Sequence, residues 1–449
     1  MVFDQLFTAE NFRRIYDSEN RKGSDLATRF FPTLEPYTIA VRDKVKEIRE
    51  LRKIEAALTV ADFEAKLLAM KAELVALKTA KSDAVDVLMD EISQKILKPS
   101  FKIRLSQKTG PKRKPVFCVD AEPETFFVIK QLQVNIHYIY DVKQAGRHDL
   151  ACQLRDMLSS KFPFELVRTD ISSFYESIDR KLLIEKLDRD QLLSSASRKY
   201  IKQVLSSYGD VSGTTVGIPR GVGISAYLSE LYLKPVDTAI RALPGLVLYC
   251  RFVDDIVAIF ARPPTGQNLG SFKDLIIGIF GRNGLTHNLD KTREFQLADA
   301  SPKKFEYLGY RFLVKSGKVE ISPSAAKVLK YRARMNAAFL DYWRENPTNP
   351  KSAFKNLVAR MKFLTGNTRL ANSKAFAVTG IYFNNSITTD LSSFKLLDKQ
   401  LNRSTKKLKR TSLQKKLKNF KFSSGFEQRQ YHNFSTRELK MIVQAWKHD

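Results

Sequence analysis

The stretch LYCRFVDDIVAIF, residues 248–260, restricts the fold more than any other part of the chain. Two runs of apolar, strand-favouring residues flank the adjacent acids Asp254 and Asp255. Both runs are suited to burial, and two ionised carboxylates carried in with them are costly unless a cation or hydrogen bonds compensate them. A hairpin that presents the acids at its tip to a metal ion resolves that conflict. Upstream, FELVRTDISSFYESID reads as a second strand ending at Asp170, with Phe174 and Tyr175 following as the chain turns into a helix. Adjacent strand ends bring Asp170 and Asp254 together, and their carboxylates then suit two hard cations such as magnesium, roughly 3.5 to 4 Å apart.

What surrounds these strands changes texture along the chain. From about Ala40 to Leu97 apolar residues recur at three and four, as in Phe63, Leu67, Met70, Leu74 and Leu77, which is helical periodicity with Thr59 or Asp62 as the break between two helices. After Lys98-Pro99, SFKIRLSQKTGPKRKPVFCVD reads as strand, turn and strand, with Thr109-Gly110-Pro111 at the turn. FFVIKQLQVNIHYIYDV and DLACQLRDMLSS read as helices, a mixture of strands and helices runs on to about Ile321, and beyond Ser324 the chain is helical and basic.

Lys and Arg outnumber Asp and Glu by 76 to 48, a formal charge of +28. Such an excess favours a polyanionic partner, because each phosphate neutralised releases condensed counterions. No apolar run approaches the roughly 20 residues of a spanning helix, and the N-terminus shows neither an apolar core segment nor a small-residue cleavage site of the secretory kind. A cytoplasmic protein with no membrane partner is expected. Cys118, Cys152 and Cys250 are odd in number and far apart, outside the paired spacings of a zinc site, so they read as reduced thiols in packed elements.

Five features follow one another in order: Asp170 with Tyr175 five residues on, the loop Gly217-Ile218-Pro219-Arg220-Gly221, the hairpin Phe252-Val253-Asp254-Asp255, Lys291 in GLTHNLDKTREF, and Leu308-Gly309 in FEYLGYRF. This series resembles the palm of reverse transcriptases over roughly residues 100 to 325. The resemblance implies an α+β right-hand polymerase: a helical N-terminal extension over 1–98, fingers over 99–164, a palm over 165–322, and a helical thumb with a basic C-terminal region over 323–449. It implies RNA-directed DNA synthesis with two Mg2+ ions, one lowering the pKa of the primer 3'-hydroxyl and the other holding the triphosphate.

Carried over residue by residue, Asp170 and Asp254 become catalytic metal ligands, with the Ile171 carbonyl completing a site and Asp255 beside them as the third catalytic, metal-binding acid. Tyr175 matches an aromatic gate that fills the space a ribose 2'-hydroxyl needs. Lys291 matches a lysine near the nucleotide phosphates, able to donate a proton to departing pyrophosphate. In the fingers, Arg113 is the first candidate for gripping the triphosphate, with either Arg104 or Lys108 as its partner, since the turn length leaves the register open. Arg220 and Gly221 stand beside the nascent base pair, and here the chain departs from the family: Arg220 replaces the usual glutamine. A guanidinium is long, charged and able to make bidentate contacts, so a base edge, a template phosphate or the triphosphate are its expected partners.

Between Lys399 and Lys421 lie ten Lys or Arg and no acid, with leucines at 401, 408, 413 and 417. That spacing puts leucines inward and cations outward, and Lys406, Lys407, Lys409, Arg410, Lys415 and Lys416 read as a nucleic-acid-binding face. Ser435-Thr436-Arg437-Glu438 reads as the cap of a final amphipathic helix, and Tyr431 before it as a packing residue rather than a priming hydroxyl. A palm between helical ends resembles the bacterial abortive-infection and defence-associated reverse transcriptases. The expected partners are an RNA template, including a dedicated non-coding RNA, the DNA product and dNTPs, with homo-oligomers left open. Untemplated or protein-primed synthesis at the same site, and an RNA-binding scaffold with an unused palm, are the rival readings.

Overall fold

Thr59 marks the break in the N-terminal helical stretch. Its hydroxyl accepts from the Asp62 amide at 3.2 Å, capping the 38-residue helix Val60–Leu97, and the preceding helix Glu35–Lys53 ends before it. Asp62 sits in the first turn, where an acid faces the positive end of the helix dipole.

The computed structural model describes residues 5–57, 59–110, 114–160, 162–261, 270–297, 301–315, 317–370 and 377–446. The chain forms two compact units, Met1–Lys143 with Ser173–Lys234, and Gln144–Ser172 with Pro235–Asp449. The four consecutive segments read from the sequence divide the chain by role, whereas these units divide it by packing. No helix is long and apolar enough to cross a membrane among the described residues.

The first unit is mainly helical. Phe12 on the helix Ala9–Arg21 and Phe127 on the helix Pro123–Tyr140 are fully buried, their rings 5.6 Å apart, and Arg13 ties the first of these helices to Asp86 at 2.7 Å. Strands β1 (Leu105–Thr109) and β2 (Pro115–Val119) form the expected hairpin, pairing antiparallel from Leu105 opposite Val119 to Thr109 opposite Pro115. Phe117 packs edge-on to Tyr208 of the helix Ser195–Ser212, ring centroids 4.8 Å apart.

The second unit holds the sheet on which the acids lie. Strands β3 (Phe164–Asp170), β4 (Leu246–Phe252), β5 (Asp255–Ala261) and β6 (Arg293–Gln296) pair antiparallel in the order β4-β5-β3-β6. The central strands β3 and β5 are buried along nearly their whole length, which is why both read as continuous apolar runs. Leu150, Leu154 and Leu158, spaced at four on the helix Arg147–Leu158, share a core with Leu166, Val257 and Ile259 of that sheet. Strands β7 (Lys303–Tyr307), β8 (Tyr310–Lys315) and β9 (Lys318–Pro323) form a second antiparallel sheet, joined to the first core where the Tyr307 hydroxyl donates to the Cys250 carbonyl at 3.1 Å. Tyr307 pairs with Tyr310, so Leu308-Gly309 is a two-residue turn with both residues at positive φ, 51° and 78°.

A helical core follows, built from the helices Ala325–Glu345, Pro350–Thr365, Ser392–Lys406, Thr411–Lys418 and Phe422–Glu427. Leu401, Leu408, Leu413 and Leu417 are all buried in it, as their spacing requires. The last helix, Thr436–Gln444, opens with the expected capping box between Ser435 and Glu438. Short strands β10 (Asn367–Leu370) and β11 (Ala377–Gly380) pair antiparallel against the helix Pro350–Thr365.

Candidate active site

The β4–β5 hairpin turns on two residues. Phe252 pairs with Asp255, leaving Val253-Asp254 as the loop. Val253 takes φ 60°, a left-handed conformation that costs a β-branched residue on the order of 1–3 kcal/mol and persists only where the surroundings enforce it. The turn places Asp254 at the hairpin tip, between the partly exposed edge strand β4 and the buried strand β5.

The register of β3 against β5 puts Asp170 directly opposite Asp255. Past the end of β3 the Ile171 amide donates to the Asp254 carbonyl at 3.2 Å, so the backbone of Asp254 lies against the residue that follows Asp170. The Asn288 amide donates to the Asp170 carbonyl at 2.8 Å and the Ser172 amide to the Thr286 carbonyl at 2.8 Å, fixing β3's end from its other side. Like charges directly opposite across a sheet repel, and here cations offset them. Arg168, two residues before Asp170 and so on the same strand face, pairs with Asp255 at 2.9 Å. The Lys291 ammonium pairs with Asp170, whose side chain is only 7% exposed. Burial pushes the Asp255 carboxyl up to about 6, opposed by Arg168 and reinforced by the charges of Asp170 and Asp254.

This arrangement suits hard cations. Asp170 and Asp254 are carboxylates on adjoining segments, Ile171 directly follows Asp170 and bonds the Asp254 backbone through its amide, and the mutual repulsion felt at Asp255 is what a divalent ion relieves. No cluster of three or more Asp, Glu, His or Cys side chains arranged for a metal occurs among the described residues, and Asp255 is engaged by Arg168.

Residues 141–312 match the family model described as "Reverse transcriptase (RNA-dependent DNA polymerase)". This stretch is a reverse transcriptase domain. Domains of this kind belong by class to the RNA-directed DNA polymerases, which are nucleotidyltransferases, and the mixed helix-and-sheet architecture is consistent with the fold of right-hand polymerases. Among solved structures, the chain is similar to a telomerase from Candida albicans in complex with a fragment of telomeric RNA, at 14% identity and a TM-score of 0.36 over 78% of this chain and 63% of that one. It is also similar to an apo telomerase from Candida tropicalis truncated from its C-terminal domain, at 13% identity and a TM-score of 0.33 over 61% of this chain and 73% of that one. The chain thus spans less than two thirds of the Candida albicans protein. No curated protein matches.

Within the reverse transcriptase domain, the loop Gly217–Gly221 is fixed by glycine. Gly221 has φ 101°, and a Cβ there would lie 2.5 Å from Val116 Cγ1 and 2.8 Å from the Phe117 carbonyl oxygen, so β2 packs on it only without a side chain. The Phe117 amide donates to the Arg220 carbonyl at 2.7 Å, and the Ile218 amide to the Tyr175 carbonyl at 2.8 Å. Arg220 takes a partner the sequence reading missed: its Nη2 reaches both oxygens of Glu176, at 2.9 and 3.1 Å, and its guanidinium lies 5.6 Å from the centre of the Tyr175 ring. Of the fingers cations, Arg104 and Lys108 are exposed, and Arg113 lies outside the described residues.

Two cationic surfaces complete the picture. Lys406, Lys407, Lys409, Arg410, Lys415 and Lys416 are all exposed. The second was not anticipated: a cavity of about 570 Å³ beside Leu308-Gly309, lined by Arg147, His148, Lys327, Lys330 and Arg334 and, among the described residues, by no acid. Lys327, Lys330 and Arg334 recur at three and four on the helix Ala325–Glu345, a signal readable as one basic face. Lys327 Nζ lies 4.5 Å from the centre of the Tyr310 ring, and burial, with Arg147 close by, pulls its pKa down to about 8. Arg168 was equally legible, since its alternation with Asp170 along β3 sets both on one face.

Proposed function

We propose that the chain extends a DNA strand on an RNA template, with Asp170 and Asp254 as the catalytic carboxylates. The observation that carries this reading is the register that sets Asp170 opposite Asp255 while the Ile171 amide bonds the Asp254 carbonyl. Asp170, Asp254 and the Ile171 carbonyl, with Asp255 beside them, would hold two Mg2+ ions, which when bound would supply activation of the 3'-hydroxyl and stabilisation of the leaving oxygen. Arg168 keeps the Asp255 carboxylate charged against its burial. Lys291, held at Asp170, keeps a proton donor at the acids. Tyr175 selects deoxyribose, and in the fingers Arg113, with Arg104 or Lys108 as its partner, neutralises the triphosphate.

The cavity beside Leu308-Gly309 and the exposed face Lys406–Lys416 hold nucleic-acid backbone, the partner that uncompensated positive charge favours. The template is a structured RNA dedicated to this protein, and the setting is the cytoplasm of a bacterium, in antiphage defence; the sequence resemblance to abortive-infection enzymes supports this. Labelled dNTPs supplied with a primed RNA and Mg2+ test the reading, and sequencing the product separates templated copying from untemplated addition. Incorporation that survives Asp254→Asn would overturn the assignment of the site. Loss of phage protection in the same variant is the expected result in cells.

A further inference from the structure

Arg220 stands where its charge was expected to seek a nucleotide or template, yet it is engaged within its own unit. Nη2 binds both Glu176 oxygens at 2.9 and 3.1 Å, and the guanidinium carbon lies 5.6 Å from the Tyr175 ring centre. Glu176 is the next residue after Tyr175, so one ion pair bridges the gate's own neighbour and the loop facing it. A planar guanidinium that is both ion-paired and set over a ring has its orientation fixed by two contacts at once.

The backbone around this contact is latched. Tyr175 accepts from the Ile218 amide at 2.8 Å, and the Gly217 amide donates to Ile178 at 2.7 Å. Arg220 accepts from Phe117 at 2.7 Å, and Ser225 Oγ donates to the Pro219 carbonyl at 2.7 Å. Gly217 has φ 88°, and a Cβ there would lie 3.0 Å from the Glu176 carbonyl oxygen. Main chain and side chains therefore join the same two segments, and the ring is bounded by Phe174, centroid to centroid 5.6 Å, as well as by Arg220.

We propose that Arg220 and Glu176 form a clamp that sets sugar selectivity by holding the Tyr175 ring in place. Both are positioning residues: the carboxylate neutralises the guanidinium and aims it, and the guanidinium restrains the ring that fills the 2'-hydroxyl space. This rests on the reading of Tyr175 as the sugar gate. It assigns a purpose to the arginine that replaces glutamine, and it predicts that Arg220 contributes little to triphosphate binding.

The test is single-nucleotide incorporation, kcat and KM for each dNTP and its rNTP, with Arg220→Gln, Glu176→Gln, the double variant and Tyr175→Ala. Either clamp variant should lower the dNTP over rNTP preference on the order of ten-fold, mainly by lowering KM for rNTP. The double variant should be no worse than the singles, because either substitution already opens the clamp. In a Tyr175→Ala background the clamp variants should change nothing further. Should Arg220→Gln fail to fold, Glu176→Gln keeps the side chain's size and carries the same prediction. Clamp variants with an unchanged preference, alongside a Tyr175→Ala that does lose it, overturn the clamp alone. So does a uniform rise in KM for all four dNTPs at constant preference, which would make Arg220 a phosphate ligand. If Tyr175→Ala leaves the preference intact, the gate reading falls and the clamp with it. A chain that incorporates no dNTP in its unsubstituted form removes the polymerase reading itself.

Discussion

The strand ends at Asp170, Asp254 and Asp255 and the basic run Lys399–Lys421 are both concentrations of a single charge, but they are built in opposite ways. At the strand ends the charges are withdrawn from water and matched: Asp255 by Arg168 at 2.9 Å and Asp170 by Lys291, with the tip held by a left-handed valine. In the basic run only the leucines are withdrawn, and Lys406, Lys407, Lys409, Arg410, Lys415 and Lys416 stay exposed. Chemistry on one reacting atom needs donors fixed before the substrate arrives. Holding a polyanion needs charge density, and side chains that keep their freedom adapt to a flexible partner.

The comparison breaks most sharply at the acids. Asp170→Asn or Asp254→Asn should lower nucleotide addition on the order of a thousand-fold, since an amide is a poor ligand for a hard cation, with an unchanged melting curve as the control. Removing a compensating cation should act on stability instead. Arg168→Ala leaves Asp255 facing Asp170 without its partner, and because the pair's side chains are 12% and 22% exposed, a loss of about 2 kcal/mol in denaturant unfolding is expected, between surface and fully buried pairs.

On the basic side, effects should be graded and salt-dependent. Changing Lys406, Lys407, Lys409 and Arg410 to Gln should weaken RNA binding about ten-fold near 0.1 M salt and flatten the plot of log affinity against log salt by about one unit per lost phosphate contact. Equal affinity and slope would leave this face merely solvated. The smallest effect is expected at Lys327. With its pKa pulled down to about 8, it is charged at pH 7 and neutral at pH 9. RNA binding should therefore fall about two- to three-fold over that range, and Lys327→Gln should remove that part of the pH dependence.

Much of this was readable along the chain because it is local. The cap at Thr59, the capping box at Ser435, the leucine face of the tail and the strands around Asp254 are set by residues within a few positions of each other. The Leu308-Gly309 turn was visible as a dipeptide, although its two positive φ values were not. Arg220 shows where such reading stops: the unusual residue was identified, but its chemistry suggested a ligand, and the Glu176 that neutralises it lies 44 positions away.

The sequence by itself determined that two acids stand between strands bound for burial, that a third ends another strand, and that the tail's cations outnumber any acid near them. Periodicity and desolvation cost are properties of short segments, so they survive without coordinates. Only the tertiary structure decided which cation meets which acid. Arg168 and Asp255 are 87 residues apart and Lys291 and Asp170 are 121 apart, joined by the pairing of β3 with β5 and the turn after Asn288. The cavity of Arg147, Lys327 and Arg334 likewise exists only because the helix that begins at Arg147 is brought to the turn at Leu308-Gly309 and the helix Ala325–Glu345, far along the chain. A charged side chain on a long, flexible stem has many candidate partners in a chain this rich in charge, and strand register and backbone hydrogen bonds choose among them.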